Sequence, residues 1–255
     1  MDTRWRTAWI TGASSGIGRA LAVALTRKGV KVAASARSAD ALAEFARAYP
    51  GIAPLPLDVT DATAMMEGAR SISGTLGPLD LAVFGAGIWL PMSARNFSAA
   101  KAAHSMAVNY QGVVNGIEAV LPAMLQRGAG HIAIIASVAG YCGVGATSAY
   151  GPTKAALINL AETLRNECAD KGVRISVINP GYVDTPMTRS TTSSKPFMIS
   201  AEDAARRIIA GLEKDRFEIA FPWQLVALMK LGRLLPYPTF FRYARSVLSP
   251  PRRGE

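Results

Sequence analysis

The sequence predicts an α/β fold in which seven parallel strands form a doubly wound sheet. Short apolar segments alternate with helical patterns over the first 221 residues, as expected for consecutive βαβ units. The fourth segment, residues 79–84, is apolar on both faces, which is typical of a buried parallel strand. The glycine-rich and polar motifs follow the ends of the strands, so we expect them to meet at one edge of the sheet.

The length and charge of the chain indicate one large domain with a C-terminal extension. A chain of 255 residues can bury a substantial core, and its composition does not shift before about Phe221. We therefore predict one α/β domain over residues 1–221 and an apolar, basic extension over residues 222–255. Half of the net charge of +10 lies in this extension, from Lys230, Arg233, Arg242, Arg245, Arg252 and Arg253 against Glu255.

Several classes of function have little support in the composition. No basic run in the body of the chain is interleaved with exposed-looking aromatic residues, and no nucleic-acid motif is present, so we predict no nucleic-acid partner. An anionic cofactor or an anionic membrane surface explains the charge better. Cys142 and Cys168 form neither a disulfide framework nor a metal-binding spacing, and no metal site is predicted. His104 and His131 have no ligand-like neighbours and are interpreted as structural. No apolar segment reaches the length of a membrane span.

The first predicted strand ends at residues 8–10 and leads into a glycine-rich turn at residues 11–18, after which a helix runs to Gly29. Glycine in this turn permits a tight bend and a close approach of the backbone to a diphosphate. The N-terminus of the helix then offers amide donors to the phosphates. These features predict a dinucleotide site that contains Gly12, Ser14, Ser15, Gly16, Ile17 and Gly18.

The second strand, residues 30–35, ends shortly before Arg37. An acidic residue at this point would accept hydrogen bonds from a free ribose 2′-hydroxyl, whereas an arginine pairs with a 2′-phosphate. Arg37 therefore favours NADP (NADPH) over NAD as the cofactor, and the alternative is a solvated arginine at a strand end. Ser38 is the predicted N-cap of a helix over residues 39–49.

The third and fourth strands also end in candidate cofactor contacts. Residues 54–57 precede Asp58, which either accepts a hydrogen bond from the adenine amino group or caps the helix that begins near Asp61. The fourth strand, residues 79–84, is followed by residues 85–87, where glycine lets the backbone approach a ligand. The predicted contacts are Asp58, Val59, Ala86 and Gly87.

A long helix is predicted over residues 98–127, with Asn109 inside its apolar band. A polar side chain buried in this way needs hydrogen-bond partners. Asn109 is either a packing residue bridged by water or part of a relay that holds a water near Lys154. Its position alone favours the packing role.

The fifth strand, residues 132–136, ends at Ser137, and the next helix carries Tyr150 and Lys154. Residues four apart project from one face of a helix, so the ammonium would lie beside the phenol. A positive charge lowers the pKa of a tyrosine, and the Ser137 hydroxyl could hold a substrate oxygen while Tyr150 transfers its proton. The spacing of Tyr150 and Lys154 alone is more typical of an exposed pair.

The sixth strand, residues 174–178, precedes a loop at residues 179–185, and residues 217–221 form the seventh strand. The loop leaves its strand at the same edge of the sheet as the other motifs. We therefore predict that it completes the cofactor site. Its predicted contacts are Pro180, Gly181, Val183 and Thr185.

Together these motifs resemble those of the short-chain dehydrogenase/reductase family over residues 6 to about 221. The turn matches TGxxxGxG, residues 180–185 match PGxVxT, and Ser137, Tyr150 and Lys154 match the serine and YxxxK motif. The resemblance implies a Rossmann-like, NADP-binding catalytic domain. It implies that Tyr150 is the general acid/base, that Ser137 orients the substrate oxygen, and that Lys154 binds the nicotinamide ribose and lowers the tyrosine pKa.

Other positions extend or modify this resemblance. Asn109 matches an asparagine that completes a proton relay in the family. The family's NNAG segment corresponds to Phe84–Gly87, which lacks both asparagines, so the side-chain bonds that usually brace the central strand are in doubt. Arg37 matches the arginine of NADP-preferring members. Ser15 stands where many of those members have a second basic residue, so the phosphate pocket is expected to be weaker or to use Arg19.

The implied activity is that of an NADP(H)-dependent oxidoreductase that interconverts a ketone and a secondary alcohol by carbonyl reduction or its reverse. Residues 188–195 are polar, and a closing lid is expected there. The candidate substrate contacts indicate a bulky hydrophobic substrate; they are Trp89, Tyr141, Cys142, Tyr182, Met187, Phe197 and Met198. The family usually dimerises through helices that begin near Ser98 and Ala149, so a homodimer or homotetramer is expected.

The extension after Phe221 combines a helical segment at residues 223–231 with a break at residues 234–238. It is interpreted as a lid, as a subunit interface or as a membrane-surface segment, and packing is preferred because apolar residues occupy most of the helical wheel. Since no secretory signal precedes the first strand, the protein is expected in the cytoplasm, with peripheral contact at the inner face of a membrane as an alternative. A non-catalytic NADP-binding adaptor at a membrane surface or partner protein is the alternative to the enzyme.

Overall fold

Seven parallel strands form one sheet in the order β3-β2-β1-β4-β5-β6-β7. The computed structural model describes residues 3–191 and 195–248. The strands are β1 Thr7–Thr11, β2 Lys31–Ala36, β3 Ile52–Pro56, β4 Leu81–Phe84, β5 Gly130–Ile135, β6 Val173–Pro180 and β7 Glu218–Phe221. The strand order reverses direction between β1 and β4, and ligands bind at such a point in doubly wound sheets.

Helices cover both faces of the sheet, which confirms the predicted fold class. The α-helices of the described residues are α1 Gly16–Arg27, α2 Ala39–Ala48, α3 Ala62–Thr75, α4 Ala99–Met106, α5 Gly112–Arg127, α6 Gly151–Glu167, α7 Pro186–Arg189, α8 Ala201–Glu213, α9 Trp223–Arg233 and α10 Tyr237–Tyr243. Ser38 caps α2 as predicted, since its hydroxyl accepts from the Ala41 amide at 3.2 Å.

Successive residues of each central strand enter opposite halves of the core. In β1, Ile10 packs into a cluster with residues of α1 and α8, whereas its neighbour Trp9 packs into a second cluster with residues of α3, α5 and α6. Val83 and Phe84 of β4 divide in the same way. Because side chains alternate along a strand, a strand that is apolar throughout supplies both halves of the core.

The boundaries of several predicted elements differ from those observed. The third strand begins at Ile52 rather than at residue 54, and its two prolines are accommodated because β3 lies at the edge of the sheet. The sixth strand continues to Pro180, with Pro180 paired to Phe221. The helix predicted over residues 98–127 is interrupted by a π-helical turn, Ala107–Gln111, which contains Asn109.

The C-terminal extension continues from β7 and packs against the body of the protein. Leu225, Met229 and Phe240 form a buried cluster with Val138 and Cys142. The extension comprises α9, α10 and a further turn to Leu248, and the predicted domain boundary near residue 221 stays a prediction. None of the helices in the described part of the chain is long and apolar enough to cross a membrane.

Candidate active site

The loops at the carboxyl ends of the central strands line one open cleft of about 400 Å³. Every residue predicted to contact the cofactor lies in its wall, as does Ser137. The cleft also includes residues that the sequence analysis missed, among them Ile88 and Val108. Both directly adjoin a predicted site residue in the chain, but their apolar side chains carry no signal that distinguishes them from core residues.

The glycine-rich turn brings the backbone of β1 close to the loop after β4. Gly12 has a φ of +72°, and a Cβ atom there would lie 2.8 Å from backbone atoms of Ala86. A Cβ atom on Gly18 would overlap the carbonyl oxygen of Gly12. In the described structure no side chain caps α1 at Ser15, so the first amides of α1 remain available to a ligand. This cradle fits the diphosphate of a dinucleotide.

Thr11 supplies hydrogen bonds that brace β1 against the loop after β4. The absence of the family's two asparagines had put such bonds in doubt. Its Oγ1 accepts hydrogen bonds from the amides of Gly85 at 3.1 Å and Ala86 at 3.3 Å. A Cβ atom on Gly85 would lie 2.7 Å from Ile135 Cδ1, so the loop also packs tightly on β5. The bracing bonds therefore come from a threonine on the neighbouring strand.

Asp58 lies in the cleft and does not cap α3. Its Oδ1 accepts from the amide of Thr60 at 2.9 Å and from the Thr60 hydroxyl at 2.8 Å. The bond from the Thr60 amide is the main cause of a lowered pKa for this carboxyl. Asp61 caps α3 instead, through the Ala64 amide at 3.0 Å. The alternative in which Asp58 caps the helix was therefore wrong.

The two arginines considered for a phosphate pocket have different surroundings. Arg37 lines the cleft, and within residues 3–191 and 195–248 it takes part in no salt bridge. The Arg19 guanidinium lies 4.9 Å from the centre of the Phe45 ring and 5.8 Å from that of Tyr49. Arg19 therefore packs on the aromatic rings at the end of α2, and it is not among the residues that line the cleft.

Asn109 is fully buried, and protein groups satisfy its side chain. Its Oδ1 accepts from the Ile88 amide at 2.7 Å, and its Nδ2 donates to the Ile88 carbonyl at 3.1 Å and to Thr153 Oγ1 at 3.2 Å. It therefore joins the loop after β4 to α6, beside Lys154. These bonds agree with the packing role favoured by its position, and its part in a proton relay stays a prediction.

Ser137, Tyr150 and Lys154 come together at the end of β5. Ser137 begins a short 3₁₀ turn, Val138–Gly140, and its Oγ accepts from the Ala139 amide at 3.1 Å. Tyr150 immediately precedes α6, and the Ser137 hydroxyl lies close enough to its phenol to favour the ionised form. The Lys154 Nζ donates to the Ile135 carbonyl at 2.9 Å and lies 5.5 Å from the centre of the Tyr150 ring.

Burial controls the protonation of Tyr150 and Lys154. It raises the pKa of Tyr150 to about 12, although the nearby Ser137 hydroxyl acts in the opposite direction. Burial also lowers the pKa of Lys154 to about 8. A lowered tyrosine pKa was expected, and in this structure the direction is reversed, because the phenolate loses more by leaving water than it gains from its neighbours.

The buried Lys154 is expected to make stability depend on pH. Its pKa is about 8 in the folded protein against 10.5 for the ordinary side chain, so between these values the unfolded chain binds more protons. The penalty for burying its charge is therefore present below pH 8 and is relieved as the pH rises. Relative to Lys154→Met, the wild type should gain about 2 kcal/mol of unfolding free energy between about pH 7 and pH 9.5.

Urea unfolding of the wild type and of Lys154→Met at both pH values measures this gain. Subtracting the two unfolding free energies at each pH cancels the contribution of the other titrating groups. Lys171→Met is a matched control, since Lys171 is exposed. The difference between wild type and control should not change with pH. A constant difference for Lys154→Met as well would mean that Lys154 keeps its proton throughout this range.

The residues predicted to contact the substrate do not form one pocket. Met187 lines the cleft, and the Trp89 ring lies 5.2 Å from the Tyr150 ring at an angle of 66°. Cys142 is buried against the extension, and Tyr141 and Tyr182 are partly buried in the same cluster, so these three line a protein interior rather than the cleft. Phe197 and Met198 are half exposed at the surface. The sequence could not separate these environments, because they depend on where α9 packs.

Local contacts hold the described parts of the segment predicted as a lid. Residues 186–189 form α7, and Arg189 pairs with Asp184 at 2.7 Å. The Ile199 amide donates to the Tyr182 carbonyl at 3.1 Å. The chain that follows the predicted lid is therefore held beside the loop at residues 179–185. The central part of the predicted lid, residues 192–194, lies outside the described residues.

Glu218 joins the extension to the turn after Ser137. Its Oε1 accepts from the Tyr141 hydroxyl at 2.6 Å and from Asn179 Nδ2 at 3.1 Å, and its Oε2 pairs with Lys230 of α9. Burial alone would raise the pKa of this carboxyl, but the bonds from Lys230 and Tyr141 outweigh it and the pKa is lowered. Burial and the bond to Glu218 raise the pKa of Tyr141.

The family model for short chain dehydrogenases matches residues 6–196. The chain belongs to the short-chain dehydrogenase family. Members of this family are oxidoreductases that use nicotinamide cofactors. An uncharacterized oxidoreductase of Myxococcus xanthus is 36% identical over 248 residues, which are 96% of this short-chain dehydrogenase and 98% of the relative.

Two solved structures illustrate the likeness of the fold. A short chain dehydrogenase from Burkholderia cenocepacia, in complex with NADP, has a TM-score of 0.83 at 24% identity and covers 95% of this chain and 99% of its own. An alcohol dehydrogenase from Thermococcus sibiricus, complexed with 5-hydroxy-NADP, has a TM-score of 0.77 at 27% identity, with 86% and 96% covered.

Proposed function

We propose that this short-chain dehydrogenase interconverts a hydrophobic ketone and the corresponding secondary alcohol with NADP(H), and that Tyr150 is the general acid/base. The observation that carries the proposal is the meeting of Ser137, Tyr150 and Lys154 beside the glycine-rich turn. A substrate oxygen placed between the Ser137 and Tyr150 hydroxyls would receive two hydrogen bonds. A non-catalytic adaptor would not need these three side chains in one place.

Each side chain has a role in moving the proton. Tyr150 gives its phenolic proton to the substrate oxygen in the reductive direction and takes it back in the oxidative direction. Lys154, with a pKa of about 8, is largely protonated at neutral pH, and its ammonium stabilises the phenolate that remains. Ser137 holds the substrate oxygen. The nicotinamide, when bound, supplies or accepts the hydride.

The choice of NADP rests on Arg37 and on the absence of an acidic residue at the end of β2. Arg37 lines the cleft and is free to pair with a 2′-phosphate, and Ser14 and Ser15 lie in the same wall. The Thermococcus sibiricus alcohol dehydrogenase, complexed with a derivative of NADP, gives further support. We also propose a homodimer or homotetramer, on the basis of the family's usual assembly.

The proposal is tested by following NADPH oxidation with a panel of bulky hydrophobic ketones, and NADP reduction with the matching alcohols. We expect turnover with at least one ketone and a preference for NADPH over NADH. Binding of NADPH without turnover of any ketone with NADPH or NADH, or of any alcohol with NADP or NAD, would contradict the proposed activity. That result would favour the non-catalytic adaptor.

Substituting Arg37 should change the preference between cofactors. A charge-assisted hydrogen bond to a phosphate contributes about 1.5–3 kcal/mol, so Arg37→Ser should raise KM for NADPH by roughly 10- to 100-fold and leave KM for NADH nearly unchanged. Steady-state kinetics with both cofactors measure this. Arg47→Ser removes an exposed arginine of α2 and is the matched control. Equal losses for NADPH and NADH would contradict the role of Arg37.

A further inference from the structure

We propose that the C-terminal extension binds the surface of an anionic lipid bilayer through an exposed apolar face. This face, called the outer face below, lies on α9, α10 and the link between them. Its members are the large hydrophobic residues of the extension that are more than half exposed, namely Trp223, Leu231, Leu234, Tyr237 and Phe241.

The opposite, inner face of the extension is already occupied by the body of the protein. Leu225, Met229 and Gly232 are buried and follow a spacing of four and three residues, which places them on one side of α9. A Cβ atom on Gly181 would lie 2.7 Å from Leu225 Cδ2, so α9 packs directly on a wall of the cleft. The orientation of the extension is therefore fixed, and its outer face points away from the core.

The residues of the outer face on α9 lie opposite this buried side. At 100° per residue, Trp223 and Leu234 are about half a turn from Leu225, and Leu231 is within about a sixth of a turn of Leu234. The helix is thus apolar on two opposite sides. The side that carries Trp223 and Leu231 is left uncovered by the described part of the chain.

On α10 the outer face comprises two aromatic side chains. The rings of Tyr237 and Phe241 stack with centres 5.7 Å apart and an angle of 18°, and their exposed fractions are 69% and 53%. Trp223 is 72% exposed. Five of the eleven large hydrophobic residues exposed in the described part of the chain belong to this short extension. Clustering of this kind marks an interaction surface.

The charge around the outer face indicates what covers it. Residues 222–248 contain no Asp or Glu, and their basic residues are all exposed; they are Lys230, Arg233, Arg242 and Arg245. Lys230 pairs with Glu218 of the body, which leaves three arginines without a carboxylate partner among the described residues. Aromatic residues beside uncompensated arginines match the boundary of a bilayer with anionic headgroups.

A second copy of this chain fits the same face less well. A two-fold symmetric contact would bring the outer face against itself, and the arginines of one copy would then meet those of the other. Like charges placed against each other oppose association. An anionic bilayer instead neutralises them and covers the aromatic rings. Binding in this way does not depend on the proposed activity of the cleft.

The test is flotation of the full chain with vesicles of phosphatidylcholine and phosphatidylglycerol, and with vesicles of phosphatidylcholine alone. We expect flotation with the anionic vesicles only, reduced at high salt. Leu234→Ser with Phe241→Ser, and separately Arg242→Glu with Arg245→Glu, should each lower partitioning at least tenfold. Phe97→Ser is the matched control, since Phe97 is 69% exposed outside the extension.

The same samples are examined by analytical ultracentrifugation and circular dichroism, so that loss of folding is recognised. Failure of the wild type to float with anionic vesicles would overturn the proposal. Equal binding by the wild type and both folded double variants would also overturn it. If the wild type does not float but forms an oligomer that the Leu234→Ser, Phe241→Ser variant loses, the outer face is a contact between copies.

Discussion

Tyr150→Phe is expected to lower kcat for carbonyl reduction by about 10²–10⁴-fold, the range that a general acid contributes. Phenylalanine keeps the ring that packs at 5.2 Å from Trp89 but removes the proton donor next to Ser137. NADPH affinity, measured by fluorescence titration, should change little, because the glycine-rich turn is untouched. The measurement is a single-turnover rate with saturating NADPH and ketone.

Tyr49→Phe provides the control for this substitution. Tyr49 is a partly buried tyrosine at the end of α2, and its ring contacts Phe45 and Arg19 away from the cleft. Its loss of a hydroxyl should leave the rate unchanged. A Tyr150→Phe enzyme that retains full activity would contradict the assignment of Tyr150 as the proton donor, whatever the cofactor affinity.

Gly12→Ala should destabilise the protein by about 3 kcal/mol and weaken NADPH binding more than tenfold. An alanine at a φ of +72° costs roughly 1–2 kcal/mol, and its Cβ would lie 2.8 Å from the backbone of Ala86, which adds about 1–3 kcal/mol of overpacking. For a domain of this size the expected fall in Tm is roughly 5–10 °C. Thermal unfolding and fluorescence titration measure the two effects.

Gly74→Ala is the matched control for Gly12→Ala. Gly74 lies in α3, and a Cβ atom there would have open space around it. Alanine favours a helix over glycine by about 0.5–1 kcal/mol, so this variant should be as stable as the wild type or slightly more stable. If Gly12→Ala matched this behaviour and bound NADPH normally, the close approach between β1 and the loop after β4 would be unnecessary.

The sequence predicted those parts of the fold and the candidate site that depend on local patterns. The glycine-rich turn and Ser137 could be placed because each follows a strand, and the ends of parallel strands meet at one edge. Tyr150 could be placed because its spacing to Lys154 puts both side chains on one face of the next helix. The sheet could be predicted because segments such as the one that contains Trp9 and Ile10 are apolar on both faces. Chain order alone was sufficient for these features.

Other features depend on contacts between distant parts of the chain. The brace from Thr11 to Gly85 joins residues 74 positions apart, and the bond from Tyr141 to Glu218 spans 77. The raised pKa of Tyr150 results from burial, which the spacing to Lys154 does not reveal. The π-helical turn around Asn109 likewise has no signature in the helical pattern.

The shared carboxylate of Glu218 has a practical consequence for redesigning the contact between the extension and the body of the protein. Tyr141 and Lys230 both depend on it, so positions 141, 218 and 230 form a unit whose substitutions will not be additive. A library that varies only one of them will mainly sample variants with an uncompensated charge or hydroxyl. Paired changes, such as Glu218→Gln with Lys230→Met, keep the balance and let the packing of α9 on the body be varied.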